Sequence, residues 1–278
     1  MLTPAAASSA RHYDRVVSAW SLLLGSDLHY GYFETGEETL DEATARLTEE
    51  MLDLLGALDR GARVLDIGCG TGRPAVRMAR RLGCRVVGIS PSQACVRSAR
   101  AATPDDVARL VDFQEGDAQC LQFGEHSFDA AWAVESSHLI PDKPRLLGEA
   151  WRVIKPGGRL VLCDIVLPAE LSMRDVIARR DDLLLLNQVF GRAIMKTPRY
   201  YAEEAARHGF AVDALTDITP QTAPTLGRWK RNAGNFRDEL VRRFGEPSWR
   251  AFVDSIAVLQ RLWEEGVLGY FMMSARRT

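Results

Sequence analysis

Val64-Leu65-Asp66-Ile67-Gly68-Cys69-Gly70-Thr71-Gly72 is the stretch that decides the fold of this 278-residue chain. It begins as a mainly apolar strand pattern and runs directly into glycines at alternate positions. Glycine lets the backbone approach a ligand that a Cβ atom would exclude, and a helix after such a loop presents free N–H groups. The stretch therefore predicts a buried strand, a ligand-binding loop and a helix in succession.

Short β-rich segments alternate with helical patterns from Arg63 onward, which is typical of an α/β fold with a parallel sheet and helices on both faces. The run Val161–Leu167 lacks polar alternation, as expected of a central strand buried on both faces. The last two strands have little helical sequence for a parallel crossover, which leaves room for one of them to run antiparallel. The predicted strands are Arg63–Ile67, Arg85–Ile89, Val111–Glu115, Phe128–Val134, Arg159–Ile165, Ala211–Ile218 and Gly269–Ala275.

Three helical segments fall outside this alternation, at residues 1–50, 171–197 and 219–266, and together they can cover the mouth of the sheet. We therefore predict a single domain over residues 1–278, whose core comprises residues 52–170, 198–218 and 267–278. The second and third segments are rich in basic residues, which fit either a solvated amphipathic face or a site for an anionic group such as a diphosphate. These residues are Arg174, Arg179, Arg180, Arg192, Lys196, Arg228, Lys230, Arg231, Arg237, Arg242 and Arg243.

The overall composition favours a diffusible small-molecule substrate. A formal net charge of -2 and a pI near 6.2 provide no global field that would hold the protein on nucleic acid or on an anionic membrane. Five cysteines without a CxxC pair fit reduced thiols in the cytoplasm rather than a disulfide framework or a metal site. We expect no export signal and no membrane span, and either a monomer or a homodimer.

The acid two residues before the first glycine distinguishes this loop from a dinucleotide-binding turn. The spacing is GxGxG rather than GxGxxG, and Asp66 would repel a phosphate but suit an ammonium group. The loop resembles motif I of class I S-adenosylmethionine-dependent methyltransferases, and the order of elements over residues 63–165 is similar to theirs. The resemblance implies a Rossmann-like, seven-stranded, mostly parallel sheet with a helical lid. It also implies S-adenosyl-L-methionine as the methyl donor and S-adenosyl-L-homocysteine as its product.

The resemblance implies a set of donor-binding residues at the strand ends. Asp66 and the backbone of Gly68 and Gly70 would hold the amino acid end of the donor. The family usually ends its second strand with an acid on the ribose, whereas this chain has Ser90 there. A subgroup that includes tocopherol, cyclopropane-fatty-acid and natural-product sugar methyltransferases has a similar pattern, in which a glutamine matching Gln93 reaches the ribose.

Two further segments resemble the same family. Asp117 follows the third strand, where the family places an acid against the adenine amino group, and the backbone N–H of Ala118 would contact the ring. The segment Asp27–Glu34 resembles the LHxGYW stretch of the subgroup, in which a tyrosine matching Tyr32 lies over the donor. Glu135 is expected to serve the donor pocket or the loop backbone.

The candidate for acid–base chemistry is His138, which lies just past the fourth strand, where the acceptor is expected. Its surroundings resemble the ExLHHxPD segment of sugar and macrolide O-methyltransferases, with Leu139 in place of the second histidine. Asp164 at the end of the fifth strand matches an acid of that family and could orient the imidazole. A base that removes a hydroxyl proton would accelerate methyl transfer by about 10²- to 10⁴-fold.

Several functions remain open from the sequence. O-methylation of a sugar, phenol or polyketide hydroxyl in secondary metabolism is the leading hypothesis. C-methylation of a prenyl diphosphate, an alkene or an electron-rich ring is the first alternative, with Glu135, Glu170 or His138 taking the final proton. A nitrogen acceptor, a cyclase that retains the donor without transferring methyl, a dehydrogenase and an RNA methyltransferase are further alternatives.

Overall fold

A seven-stranded sheet with the strand order β3-β2-β1-β4-β5-β7-β6 forms the centre of the protein. The structure, a computed structural model, describes residues 2–278. Every strand expected from the sequence is present, and β7 is the strand that runs antiparallel to both of its neighbours. The strands are β1 (Arg63–Ile67), β2 (Arg85–Ser90), β3 (Val111–Glu115), β4 (Phe128–Val134), β5 (Ile154–Val166), β6 (Phe210–Asp217) and β7 (Gly269–Arg277).

The strand order places a ligand site at the carboxyl end of β1. The chain moves outward from β1 through β2 to β3 and then returns to place β4 on the other side of β1. Asp66 at the end of β1 pairs with Gly88 of β2 and with Trp132 of β4, so the ends of three parallel strands meet here. In open α/β sheets, ligands bind where the strand order reverses in this way.

Helices cover both faces of the sheet and its carboxyl edge, as the Rossmann-like prediction required. The helix α2 lies in the segment predicted as cover, but it packs against β5, β7 and α3 and so belongs to the layered core. No helix within residues 2–278 is long and apolar enough to cross a lipid bilayer. The helices are α1 (Pro4–Leu23), α2 (Leu40–Leu55), α3 (Arg73–Leu82), α4 (Gln93–Ala101), α5 (Lys143–Val153), α6 (Met173–Ala178), α7 (Arg180–Phe190), α8 (Pro198–Arg207), α9 (Thr219–Thr222), α10 (Pro224–Asn235), α11 (Arg237–Phe244) and α12 (Glu246–Glu264).

Two apolar clusters lie on opposite faces of the sheet because successive strand residues point to opposite sides. Val64 joins Met51 and Trp132 on one face. Its neighbour Leu65 joins Leu147 on the other. Burial of both faces keeps β1 rigid, and this rigidity fixes the position of the glycine loop that follows it.

Candidate active site

A cavity of about 110 Å³ lies at the carboxyl ends of β1, β2 and β4, and we call it the donor cavity. Its lining brings together seven of the nine residues that the sequence predicted for donor binding. The remaining two, Tyr32 and Gln93, are not part of the lining. The seven are Asp66, Gly68, Gly70, Ser90, Asp117, Ala118 and Glu135.

Two glycines shape the floor of the donor cavity. Gly68 has φ +88°, and a Cβ atom there would lie 2.3 Å from Cβ of Ser136. Gly70 has φ +50°, and no heavy atom would lie within 4 Å of an added Cβ. The first glycine allows the loop to pack against the turn after β4, and the second leaves open space for a ligand.

Asp66 provides an unsatisfied carboxylate in the donor cavity. The residue is 3% exposed, and its Oδ2 is buried without a hydrogen-bond partner. Burial raises the pKa of this carboxyl to about 7. A buried acceptor without a partner is costly unless a ligand satisfies it, and an ammonium group would supply both charge and N–H donors. The site therefore fits the amino acid end of S-adenosylmethionine.

Asp117 is held as a carboxylate by backbone donors. Its Oδ1 accepts the N–H of Gln119 at 2.9 Å, and its Oδ2 accepts the N–H of Thr3 at 2.8 Å. Burial alone would raise the pKa of Asp117, but these bonds lower it below its usual value. An ionised acid here fits the exocyclic amino group of adenine. The contact with Thr3 also joins the start of α1 to the rim of the cavity.

Ser90 and Gln93 lie on either side of the turn between β2 and the helix α4. Ser90 is the last residue of β2, and Ser92 caps the helix. Pro91 therefore lies in the turn, and Gln93 becomes the first helical residue. The Gln93 side chain is exposed and donates to Oε2 of Glu115 at 2.9 Å. This contact holds the amide outside the lining of the donor cavity.

Tyr13, rather than Tyr32, lines the donor cavity. The backbone N–H of Tyr32 donates to the carbonyl of Ala43 at 2.8 Å, and its phenol lies near Glu50. Tyr13 extends from α1, about which the sequence offered no motif. Its position depends on how α1 packs over the strand ends.

A second cavity of about 180 Å³ lies beneath the helical cover, and we call it the inner cavity. Tyr13, Leu28 and Glu135 line both the donor cavity and the inner cavity, so the two spaces meet at these side chains. His138 lines the inner cavity only. Two adjoining cavities of this kind could hold a donor and an acceptor on either side of one boundary.

Glu135, at the boundary of the two cavities, forms hydrogen bonds to two segments that are distant in the sequence. Its Oε1 accepts the backbone N–H of Tyr30 at 2.5 Å and the hydroxyl of Tyr270 at 2.6 Å. The residue has φ +46°, an uncommon value for a non-glycine residue. Burial raises the pKa of Glu135 to about 8, with the two hydrogen bonds acting in the opposite direction.

His138 and Asp164 form a buried pair at the inner cavity. Nδ1 of His138 lies 2.6 Å from Oδ1 of Asp164, and the His138 N–H donates to Oδ2 at 2.8 Å. The hydroxyl of Ser137 also donates to Oδ2, at 2.5 Å. Burial alone would raise the pKa of Asp164, but His138 and Ser137 lower it below its usual value. A carboxylate next to Nδ1 favours the tautomer with a proton on Nδ1, which leaves Nε2 as a proton acceptor.

Comparison with known proteins identifies the family. The family described as "Methyltransferase domain" matches residues 65–162. The chain is 33% identical to the 27-O-demethylrifamycin SV methyltransferase of Amycolatopsis mediterranei, over 100% of this chain and 99% of that protein. The chain belongs to the S-adenosylmethionine-dependent methyltransferases. It is also 30% identical to the O-methyltransferase resE of Aspergillus sclerotiorum, over 99% of both chains.

Solved structures show the same fold. The (4+2)-cyclase SpnF is 27% identical with a TM-score of 0.84, over 100% of this methyltransferase and 98% of SpnF. The cyclopropane synthase MmaA2 of Mycobacterium tuberculosis has a TM-score of 0.88 at 20% identity, over 100% of this chain and 99% of that chain. The seven-stranded arrangement with a helical cover is thus that of class I methyltransferases.

Lys143 is a site residue of this methyltransferase that the sequence analysis missed. Its side chain is fully buried, and Nζ donates to the carbonyl of Ser137 at 2.7 Å and to that of Ile140. Burial lowers the pKa of Lys143 to about 8. The ammonium group holds the turn that carries His138. No sequence pattern indicates this role, because a lysine at a helix start is usually exposed.

The basic residues of the cover do not form an anion site in the inner cavity. Arg228 donates to the carbonyls of Gly36 and Glu38, and Arg179 pairs with Glu265. Among the described residues that line the inner cavity, none is a lysine or an arginine. These contacts support the interpretation that the basic residues lie on the solvated outer face of the cover, where they pair with acidic side chains or backbone carbonyls.

Proposed function

We propose that this methyltransferase methylates a hydroxyl oxygen of a neutral, mainly apolar small molecule, with His138 as the general base. The observation that carries this proposal is that His138, held through Nδ1 by the buried Asp164, lines the inner cavity. When bound, S-adenosylmethionine would supply an electrophilic methyl group to the acceptor oxygen, and S-adenosylhomocysteine would be the leaving group.

The residues of the chain act by placement and by proton transfer. Nε2 of His138 takes the proton of the acceptor hydroxyl, and Asp164 stabilises the imidazolium that results. Tyr13 and Leu28 line both cavities at their boundary, and the acceptor oxygen approaches the methyl group beside these two side chains. The apolar lining excludes water, and placement of the reacting atoms in a dry site supplies most of the acceleration.

The charge and lining of the inner cavity support a neutral acceptor. A diphosphate in this cavity would find no lysine or arginine in the lining to compensate for its lost hydration. Two relatives carry names that refer to oxygen methylation of natural products, the rifamycin enzyme and the (+)-O-methylkolavelool synthase of Herpetosiphon aurantiacus. We therefore place the acceptor among hydroxylated natural products of the polyketide or terpenoid type.

The test is to incubate the protein with donor labelled with carbon-13 in the methyl group and with neutral phenols, polyketide alcohols or terpenoid alcohols. Geranyl diphosphate serves as the competing acceptor class. We expect methoxy carbon signals in the products of the neutral acceptors and no transfer to geranyl diphosphate. Labelled methyl on carbon, or transfer to the diphosphate alone, would overturn the proposal.

A cyclase that retains the donor is the second candidate, favoured by the similarity to SpnF. The same incubation separates the two functions, because a cyclase would change the acceptor without forming S-adenosylhomocysteine. Stoichiometric formation of S-adenosylhomocysteine with a methoxy product would exclude this candidate as the main activity.

We further propose a cytoplasmic location. The five cysteines are free, and four of them are buried where oxidation would disturb the core. A reducing compartment suits such a set. Cell fractionation with detection of the native chain would test this proposal.

A further inference from the structure

The inner cavity is small for an acceptor with an extended scaffold. Its volume of about 180 Å³ is below the range of roughly 300–1,000 Å³ that is usual for sites of drug-sized ligands. A third cavity of about 350 Å³ lies on the outer side of α1, and we call it the distal groove. The distal groove is lined chiefly by Val16, Trp20, Leu240, Trp249, Ala251 and Phe252. The inner cavity and the distal groove together fall within the usual range.

One layer of aromatic side chains separates the two spaces. Trp20 lines both of them. Phe190 lines the inner cavity, and its ring centroid lies 6.0 Å from that of Trp20 and 6.0 Å from that of Phe252 in the distal groove. Trp20 is therefore a side chain that the two spaces share, and Phe190 and Phe252 pack around this boundary.

The distal groove has an apolar floor and a polar rim. Leu240 and Phe252 are buried in its floor, whereas Arg15, Gln188 and Ser248 are exposed at its edge. Nε2 of His12, which also lines the groove, is buried without a hydrogen-bond partner. Such a lining suits a ligand with an apolar body and an oxygen-bearing end that faces the solvent.

We infer that the distal groove is the outer half of the acceptor site. It takes the part of an elongated alcohol or phenol that is remote from the hydroxyl methylated at His138. The inference rests on the proposed function, since it takes the inner cavity as the place of the reacting hydroxyl. Because Trp20 borders both spaces, the occupant we assign to the groove is the distal part of the acceptor.

The test uses 4-alkylphenols from 4-methylphenol to 4-decylphenol as probes, with the protein saturated with S-adenosylhomocysteine and dissociation constants measured by calorimetry. Each methylene that enters an apolar site should improve affinity by about fourfold. In the wild type we expect the affinity to keep rising with chain length after the alkyl chain has filled the inner cavity. In Ala251→Trp, whose indole fills the groove, the affinity should stop rising at the chain length that fills the inner cavity. Ala257→Trp, on the exposed face of the same helix, should behave as the wild type does.

Ser248→Trp provides a second variant that does not depend on repacking, because Ser248 is exposed at the rim. It should weaken binding of the longest phenols by about tenfold or more and leave 4-methylphenol unchanged. If Ala251→Trp and Ser248→Trp both show the length dependence of the wild type, the distal groove is not part of the acceptor site. A wild-type gain that stops once the inner cavity is full would overturn the inference in the same way.

The outcomes also separate this inference from the proposed function. Length-dependent binding that is blocked in Ala251→Trp, with no methyl ether formed from any phenol, would overturn the hydroxyl chemistry and leave the groove assignment standing. Methylation of 4-methylphenol with affinity independent of chain length would support the chemistry and overturn the groove. Absence of binding by every phenol would overturn both.

Discussion

Oδ1 of Asp164 lies 2.6 Å from Nδ1 of His138, and Oδ2 of the same carboxylate accepts the backbone N–H of His138 at 2.8 Å. One fully buried acid thus holds both the ring and the main chain of a single residue. The ring cannot turn away from the inner cavity without breaking the first bond. The orientation of Nε2 is therefore fixed before the acceptor enters.

Removal of the imidazole should slow the reaction and leave donor binding intact. In His138→Asn we expect kcat to fall by about 10²- to 10⁴-fold, because the hydroxyl proton has no acceptor. The dissociation constant of S-adenosylhomocysteine should not change, since His138 does not line the donor cavity. The control is His126→Asn in an exposed loop, which should keep wild-type kcat. Equal kcat for both variants would contradict the assignment of the base.

Asp164 and His138 should behave as one unit. Asp164→Asn should lower kcat by about 10²-fold or more, because an amide cannot hold the Nδ1–H tautomer. The double variant with His138→Asn should lose little beyond the His138→Asn single variant, because the acid acts through the ring. Thermal melting curves would monitor folding in all three variants. Losses that multiply would show that Asp164 acts independently of His138.

Donor affinity should fall at acid pH because of Asp66. Burial raises the pKa of this carboxyl to about 7 in the free protein. Below that pH the group binds a proton and loses the charge that attracts an ammonium group. We expect the dissociation constant of S-adenosylhomocysteine to rise about tenfold per pH unit below 7, measured by calorimetry. Asp66→Asn should bind weakly at every pH, and a pH profile like that of the wild type would refute this account.

The same carboxyl should cost stability in the free protein. Its pKa is higher in the folded state than in the unfolded state, so its contribution favours folding at acid pH and is lost as pH rises toward 7. Asp66→Asn should therefore raise the melting temperature of the ligand-free protein at pH 8. Asp59→Asn, at an exposed position, should leave it unchanged. A lower melting temperature for Asp66→Asn would show that the charge is not the source of the cost.

Gly70 and Gly61 form a matched pair for testing the glycine loop. Both have positive φ, and neither would bring an added Cβ within 4 Å of another atom. Alanine at either position should lower the free energy of unfolding by about 1–2 kcal/mol. Only Gly70→Ala places a methyl group in the donor cavity, and we expect it to weaken S-adenosylhomocysteine binding by at least about tenfold. Equal affinities in the two variants would place the ligand elsewhere.

Tyr13 and Tyr32 allow a similar comparison. Tyr13→Ala should weaken S-adenosylhomocysteine binding, because it removes a wall of the donor cavity. Tyr32→Ala should leave the dissociation constant within about twofold, because its phenol lies near Glu50 outside the lining. The reverse result would place Tyr32 over the donor, as the family resemblance implied.

The site residues that could be predicted from the sequence are those whose positions follow from the local sequence at the ends of the sheet strands. The loop from Asp66 to Gly70 follows from backbone sterics at the end of a buried strand, and the spacing of these residues already placed them in one cavity. His138 follows β4 and Asp164 lies near the end of β5, and the parallel pairing of these two strands brings the two residues together. All of these positions depend on the sheet alone.

The remaining part depends on packing between distant segments. Tyr13 reaches the donor cavity because α1 lies across the strand ends, and no local pattern specifies that placement. Lys143 is buried by the turn before α5, although its type indicates a surface residue. Gln93 lies outside the lining of the donor cavity, and its amide donates to Glu115. No local pattern in the sequence specifies that contact.

The placement of α1 has a consequence for the timing of turnover. Thr3 at its start donates to Asp117, Tyr13 in its middle lines both cavities, and Trp20 near its end forms part of the partition to the distal groove. Any displacement of this helix that lets the spent nucleoside leave also uncovers the methylated product. Release of S-adenosylhomocysteine and release of the methylated product thus depend on the same movement of α1, and a single opening rate would govern both.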